Sequence, residues 1–559
     1  MRNQPFSRAV PPLVLFLFVM FFLSAPAIAD KDATIAGHSP EEALRLGEAM
    51  YAKGLLPSGK PMSAVLQGDL VVKGTMVTCA NCHMRSGLGS VEGGVLTLPT
   101  NGALLYAPLR SSRDLPGIGM GRGELKYPRP AYTDASLAKA IRSGVDAAGR
   151  IMEETMPRYL LDDREMEILV FYLKNLSSKP SPGASGDSIR LATIVTEGVS
   201  DNERRAMVDP LAAYIRQEWN ANLTVLSMTT REKTYRPVSL DIWELKGPPE
   251  TWREQLEAFY KREPVFALIG GIAASPWHPV HGFCEENRIP CILPITDLPV
   301  VSQGDWYTLY FSKGYHQEGE AAANYLAHVL DLPQDKEVVQ VFRNKDEGKA
   351  LAEGFAGAWK RQGRTGPRDR MLSPGERADR PFWKELAAQH RNAVFLLWLG
   401  PGDLSGVEAL ADTADRPSIV FASSTMLGND YAALPDAVRD FALLTYPNRL
   451  PEESAGALFS VEQWLGAKKI PVTGIATSSK VFLLTRALSR VMIAMKGHFY
   501  RDYFLDLFDM LEDQTTAVAA YPVLSFGPGQ RYAAKGCYVV KLTRGEQPKI
   551  IKQSDWIIY

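Results

Sequence analysis

Hydrophobic and polar positions divide this chain into three regimes. Residues 1–29 carry one unbroken apolar run, "PPLVLFLFVMFFL", behind Arg2 and Arg8. Residues 30–176 read as helices. In "SPEEALRLGEAMYAKG" apolar positions recur every three to four residues. Between Asp162 and Leu176, Met166, Leu169, Val170 and Leu173 repeat that stripe behind an acidic first turn. Both stretches have the period of amphipathic helices. Residues 177–188, "SSKPSPGASGDS", lose apolar periodicity and have the composition of a linker.

From residue 189 to 559 short apolar runs alternate with amphipathic stretches. "SIRLATIV", "NLTVLSMT", "VFALIGG", "IPCILPI" and "WYTLYFS" read as strands. Helices are expected over Asn202–Trp219, over Trp277–Arg288 and from about Gln317 to Leu330. The pattern then restarts with "EVVQVFR", a helix over Glu347–Arg361, "AVFLLWLG", a helix near Leu404–Ala414 and "SIVFAS". Such alternation implies two α/β lobes, each a parallel sheet covered by helices on both faces. A ligand between them would sit beyond the carboxyl ends of the strands.

Composition adds exclusions. Lys plus Arg, 62, nearly balances Asp plus Glu, 63, which argues against a nucleic-acid partner. The first apolar run is shorter than the ~20 residues a spanning helix needs, and "APAIAD" after it offers Ala27-Ile28-Ala29 as a cleavage site. Residues 1–29 therefore read as a cleavable secretory signal. No later segment is long and apolar enough to span a bilayer. The mature chain is expected to be soluble and periplasmic.

The densest chemistry is "TCANCHMRSG", Thr78 to Gly87. A redox disulfide of thioredoxin type needs a βαβ context that the flanks do not supply. A zinc site needs a second ligand pair, and Cys284, Cys291 and Cys537 are remote. The remaining reading is covalent haem attachment through Cys79 and Cys82, with His83 as the iron ligand. Such a site usually takes a second axial ligand from Met or His. Met156 stands in a loop before a proline that cannot continue a helix. Met152 is its rival, with Met84 and Met120 behind.

With its early helix, CxxCH and an ending of the form "MP.Y.L.D.E...L..YL..L", this region resembles a class I monohaem cytochrome c. The resemblance implies a small all-α domain holding one haem c through Cys79, Cys82, His83 and Met156. It does not cover the glycine-rich stretch Gly87 to Arg122.

"FALIGGIAASP", "CEENRIPCILPITDLP", "YFSKGYHQEGEAAANYL", "NKDEGKALAEGFAGAW" and "YPVLSFGPGQRY" carry a second resemblance. Residues 189–559 are similar to type I periplasmic binding proteins of the branched-chain amino-acid receptor group. That likeness implies ligand contacts at Ala274-Ser275 and Thr296-Asp297 in the first lobe. Across the cleft it implies Asp346-Glu347, where an aromatic residue is common, and Tyr446. The loop Gly314-Tyr315-His316 lacks the acidic residue usual there, so an ordinary amino acid is not the expected ligand.

Each position has a plainer role open to it. Ser275 and Thr296 suit caps or turns, Asp346 suits a helix cap, and Trp277 and Tyr315 suit either core or a stacking platform. His278, His281 and His316 are a conceivable metal cluster without ligand spacing. Cys284 and Cys291 are candidates for a disulfide. No nucleophile elbow or phosphate loop stands out, so an enzyme is not expected. The expected function is periplasmic electron transfer through one haem, coupled to small-molecule binding and serving a partner dehydrogenase. The alternative is a solute receptor for a transporter or sensor, with the haem as a redox gate.

Overall fold

A computed structural model describes residues 34–92, 95–111, 115, 128–230, 234–428, 430–511, 520–527 and 529–558. The export segment, residues 1–29, and Met120 lie outside the described residues.

The first apolar stripe forms the helix Pro40–Lys53, which begins on the Ser39 side chain and carries Glu41 and Glu42 in its first turn. The second forms Asp163–Asn175, where Asp162 and Glu165 cap one another's backbone. Such reciprocal caps satisfy N–H groups that a helix start leaves without partners. The two helices share a buried core of Met50, Tyr51, Leu169 and Leu173, and the Tyr51 and Tyr172 rings lie 5.6 Å apart. The region is not purely helical. Ser63–Leu66 pairs antiparallel with Leu70–Lys73 and with Arg158–Tyr159. A hairpin, Ser90–Glu92 with Val95–Thr97, lies in the glycine-rich stretch.

The linker composition is misleading, because the stretch is fastened down. Ser181 N–H donates to the Phe499 carbonyl at 3.0 Å, and Arg501 N–H donates to Ser181 Oγ at 3.0 Å. Gly183 has φ +83°, and a Cβ there would lie 2.0 Å from the Phe266 nitrogen. Only glycine tolerates both conditions.

The first lobe is a five-stranded parallel sheet in the order Thr308–Leu309, Cys291–Ile292, Ala267–Ile269, Ile189–Thr196, Val238–Leu245. One sequence assignment changes here. "NLTVLSMT" is not a strand but the helix Leu223–Thr230; the partner of Ile189–Thr196 is Val238–Leu245. A short apolar run does not distinguish helix from strand by periodicity. Val225 and Met228 remain 60% and 74% exposed, which a central strand would not permit.

In the second lobe Arg368–Leu372, Val338–Arg343, Val394–Trp398, Ile419–Ser423 and Ala442–Tyr446 run parallel. Gly536–Leu542 and Ile550–Lys552 then add antiparallel edges, so this sheet is mixed rather than parallel throughout. The helix expected near Leu404–Ala414 is instead two short turns, Pro401–Asp403 and Val407–Leu410, broken at Gly406 with φ 74°. The chain passes between lobes before the helix Tyr315–Asn324. It returns to the first lobe with the helices Ile475–Ala494 and Arg501–Asp509, which complete that lobe's core.

Candidate functional site

Cys79–His83 forms one helical turn, which brings Cys79 and Cys82 to i and i+3 positions on the same face. Both are free thiols. Burial pushes the Cys79 thiol up to about 11. His83 Nδ1 lies 2.7 Å from the Leu98 carbonyl. A carbonyl accepts only from N–H, so the proton sits on Nδ1 and Nε2 keeps its lone pair for a metal. Burial also lowers the His83 imidazole below its ordinary 6.5, which favours the neutral ring.

Cys79, Ala80, Met152 and Met156 all pack half-buried against the same core. Met76 and Ile151, on segments flanking these residues, are 68% and 78% exposed, and exposed apolar side chains of this kind suit a large apolar ligand. Two thiols on one turn, a neutral imidazole with its tautomer fixed and a thioether on the same core are a donor set that fits haem c. Among the described residues no group of three or more His, Cys, Asp or Glu is placed to hold a metal ion. The zinc reading and the His278, His281, His316 cluster therefore find no support. His281 is instead a buried structural residue, with Nδ1 2.9 Å from Tyr310 Oη and Nε2 2.8 Å from Asp305 Oδ2.

Between the lobes, several residues singled out in the sequence come together. Gly314 has φ +55°, and a Cβ there would lie 2.1 Å from the Asp297 carbonyl. Tyr315 N–H then donates to that carbonyl at 3.1 Å. Burial, then the negative charges of Asp297, Glu318 and Glu347, raise the Tyr315 phenol, so all three carboxylates lie within electrostatic reach of it. Tyr446 stands at the carboxyl end of Ala442–Tyr446 and interacts with Tyr431. A cavity of about 250 Å³ opens beside Asp297 and is lined by Lys313, His316, Ala350 and Glu353 among others. Burial opposes ionisation of Glu320 beneath it, yet His316 and Lys313 hold its carboxyl down to about 2.

Other expectations land elsewhere. Trp277 is 0% exposed and packs with Ile194, Trp243 and Val280, so it belongs to the core and offers no ligand platform. Thr296 Oγ1 accepts from Leu298 N–H at 3.1 Å, a turn contact. Ala274 is exposed beside half-buried Ser275, and its N–H donates to Thr196 Oγ1 at 3.1 Å. Asp346 is the exposed first residue of its helix rather than the cap, which is Lys345. Cys284 and Cys291 are buried free thiols; burial, then their contact with each other, push the Cys284 thiol up.

Two family models match separate parts of the chain. Residues 73–177 match the family model for cytochrome c, and residues 235–478 match that for periplasmic binding protein. The chain joins a cytochrome c domain to a periplasmic binding protein domain. The first family implies covalently bound haem c and electron transfer, the second a small-molecule ligand in a cleft, and both families are typically periplasmic.

Similar solved structures include a fatty acid ABC transporter substrate-binding protein from Thermomonospora curvata, at 15% identity and TM-score 0.46 over 68% of this chain and 95% of that one. Another is a solute binding protein of an ABC transporter from Rhodopseudomonas palustris HaA2 in complex with p-hydroxybenzoic acid, at 13%, 0.47, 66% and 97%. A leucine binding protein from Thermotoga maritima MSB8 matches at 14%, 0.41, 66% and 98%. No curated protein matches. No helix among the described residues is long and apolar enough to cross a membrane.

The binding protein domain also holds residues that sequence reasoning passed over. Glu318 is 0% exposed and receives Ser423 Oγ–H at 2.8 Å and Thr445 Oγ1–H at 2.6 Å, from the ends of two strands of the second lobe. In sequence it is an ordinary acid in a helix's first turn. Burial opposes the charge on Lys480, but Tyr521, Asp297 and Glu203 raise its ammonium. Its one signal was a lysine inside the apolar run "IATSSKVFLLTRAL".

Proposed function

We propose that this is an exported electron-transfer protein, not an enzyme, carrying one haem c whose redox traffic with a partner dehydrogenase is coupled to a small molecule held between the lobes. Residues 1–29 would direct export. Cys79 and Cys82 would hold the haem, with His83 and Met156 as axial ligands. Bound haem c supplies a one-electron couple. The protein's part is to fix the ligands: Leu98 holds the His83 tautomer, and the Met156-Pro157 loop presents the thioether. Ligation by both His83 and Met156 would leave no open site for oxygen or peroxide, which is why the reading is electron transfer.

The observation that carries the reading is the 2.7 Å contact of His83 Nδ1 with the Leu98 carbonyl, beside two thiols on one turn. Mass spectrometry of protein purified from its own periplasm, native and then denatured, tests it. One haem mass surviving denaturation is expected, and its absence would overturn the proposal. The six-coordinate spectrum should be lost in Met156→Ala and kept in Met152→Ala. The reverse pattern moves the ligand to Met152.

A further inference from the structure

The residues directly after His83 are built into the binding protein domain. Ser86 is 0% exposed and its N–H donates to Asp506 Oδ2 at 2.9 Å, on the helix Arg501–Asp509 of the first lobe. Leu88, 1% exposed, belongs to that lobe's core together with Phe504 and Leu507. Arg85 lies over the Trp306 ring at 5.0 Å, and Arg531 lies over the same ring at 4.4 Å. Glu48 accepts from Arg288 at 2.7 Å, across the same boundary.

This segment is also strained. Met84 has φ 61° and ψ 169°, a region that residues other than glycine avoid at a cost of about 1–3 kcal/mol. Tyr51 Oη–H holds the Met84 carbonyl at 2.8 Å. From Ser86 the bonds run on to the proximal side. The Gly87 carbonyl accepts from Thr100 N–H at 2.7 Å and Asn101 N–H at 3.0 Å, which fixes the strand end bearing the Leu98 carbonyl that holds His83.

We infer that the first lobe of the binding protein domain is the outer shell of the haem's proximal side, with Asp506 as the positioning residue through which it sets the haem's redox potential. The inference rests on haem attachment at Cys79 and Cys82. The lobe's hinge connection reaches the same point. Arg531, in the segment that leads into the second-lobe strand Gly536–Leu542, donates to both oxygens of Asp509 at 2.5 and 2.7 Å, and its carbonyl accepts from Tyr310 N–H at 2.7 Å.

Burial pushes the Asp506 carboxyl up to about 7, and Asp502 and Asp509 add to this against the Ser86 bonds. The Tyr51 and Tyr503 phenols also interact with it, while Arg85 and Arg531 pair with its acidic neighbours Asp502 and Asp509. An ionised Asp506 disfavours the more negative, reduced haem, and a neutral one does not. The potential should therefore fall as pH rises through neutrality.

Spectroelectrochemical titration of the full chain between pH 5.5 and 8.5 tests this, with Asp506→Asn, which keeps an acceptor for Ser86, and Asp506→Ala, which does not. At pH 8.5 the Asn variant should shift the oxidised-to-reduced equilibrium at least tenfold toward the reduced form, about 59 mV for a one-electron couple, with a flatter pH profile. In the Ala variant the Ser86 amide should also exchange with solvent at least tenfold faster, while in the Asn variant it should stay protected. Covalent haem with unchanged potentials and unchanged Ser86 exchange would overturn the inference alone. Absence of covalent haem would overturn the proposed function and this inference together.

Discussion

Glu318→Gln should make the binding protein domain more stable at alkaline pH and leave it nearly unchanged in acid. Burial raises the Glu318 carboxyl from 4.5 to about 7, against hydroxyls of Thr425, Thr445 and Ser423 that favour its ionised form. A carboxyl with a raised folded pKa binds its proton more tightly folded than unfolded. It costs nothing below about pH 4.5, and its penalty grows as pH rises to about 7, above which it is constant. At about 1.4 kcal/mol per tenfold in proton affinity, the full penalty is on the order of 3 kcal/mol. Glutamine removes the ionisable group and keeps a carbonyl oxygen for Ser423 and Thr445. Denaturant unfolding followed by tryptophan fluorescence at pH 4.5, 6, 7 and 8.5 measures the difference. The gap between variant and wild type should open between pH 4.5 and 7 and then level off. A gap independent of pH would refute the argument, because it would show that Glu318 has the same proton affinity folded and unfolded.

Other perturbations separate packing from chemistry. Trp277→Ala should destabilise the first lobe by roughly 3–5 kcal/mol, the usual cost of emptying a buried aromatic site, read by thermal unfolding. A small effect would return Trp277 to the cleft. Arg501→Ala removes a guanidinium that donates to the carbonyls of Phe266, Val265, Asn287 and Arg288. It should cost more than about 3 kcal/mol, since hydrogen bonds to a charged group are worth about 1.5–3 kcal/mol each, and it should speed proteinase K cleavage within residues 177–188. Gly183→Ala should release the same linker through the clash with Phe266, so the two variants should share a cleavage pattern.

What was legible in the sequence was what is local. The CANCH turn is contiguous, so Cys79, Cys82 and His83 could be singled out before any tertiary contact was known. The helix stripes likewise announced their buried faces, Met50 and Leu169 among them. Ile189–Thr196, Ala267–Ile269, Val338–Arg343, Val394–Trp398 and Ile419–Ser423 appeared because their apolar runs were bounded by turn residues, whereas Val238–Leu245 and Arg368–Leu372 did not. What failed depended on tertiary partners. "NLTVLSMT" has the composition of a strand, but Val238–Leu245 takes the sheet position, and local propensity yields to packing. Trp277 sits beside a strand end that the family uses for ligands, and an aromatic residue there reads the same whether it turns inward or outward. Glu318 is special only because two strands of another part of the chain close over it. Gly183 and Ser181 look like flexible chain because the residues that make linkers loose are also those that allow close backbone approach.

The docked linker changes how the two domains can influence each other. A free tether would let the cytochrome swing between the lobe and its partner, and ligand binding would then act on encounter rates. Here the segment after His83 is built into the first lobe at Ser86 and Leu88, while Cys82, one residue before His83, stays exposed. The motif therefore has a covered end and an open end. A redox partner would have to use the open end, because the binding protein domain packs against the covered one. Closure of the lobes can shift haem chemistry only by as much as the contacts around it differ between open and closed states. The contact that would have to differ is the one joining the segment before Gly536–Leu542 to the cytochrome c domain: Arg531 between Asp509 and Trp306, with Arg85 over the same ring. If that sandwich is the same in both states, ligand and haem are independent however close their domains lie. If it opens on closure, the potential becomes a readout of ligand occupancy.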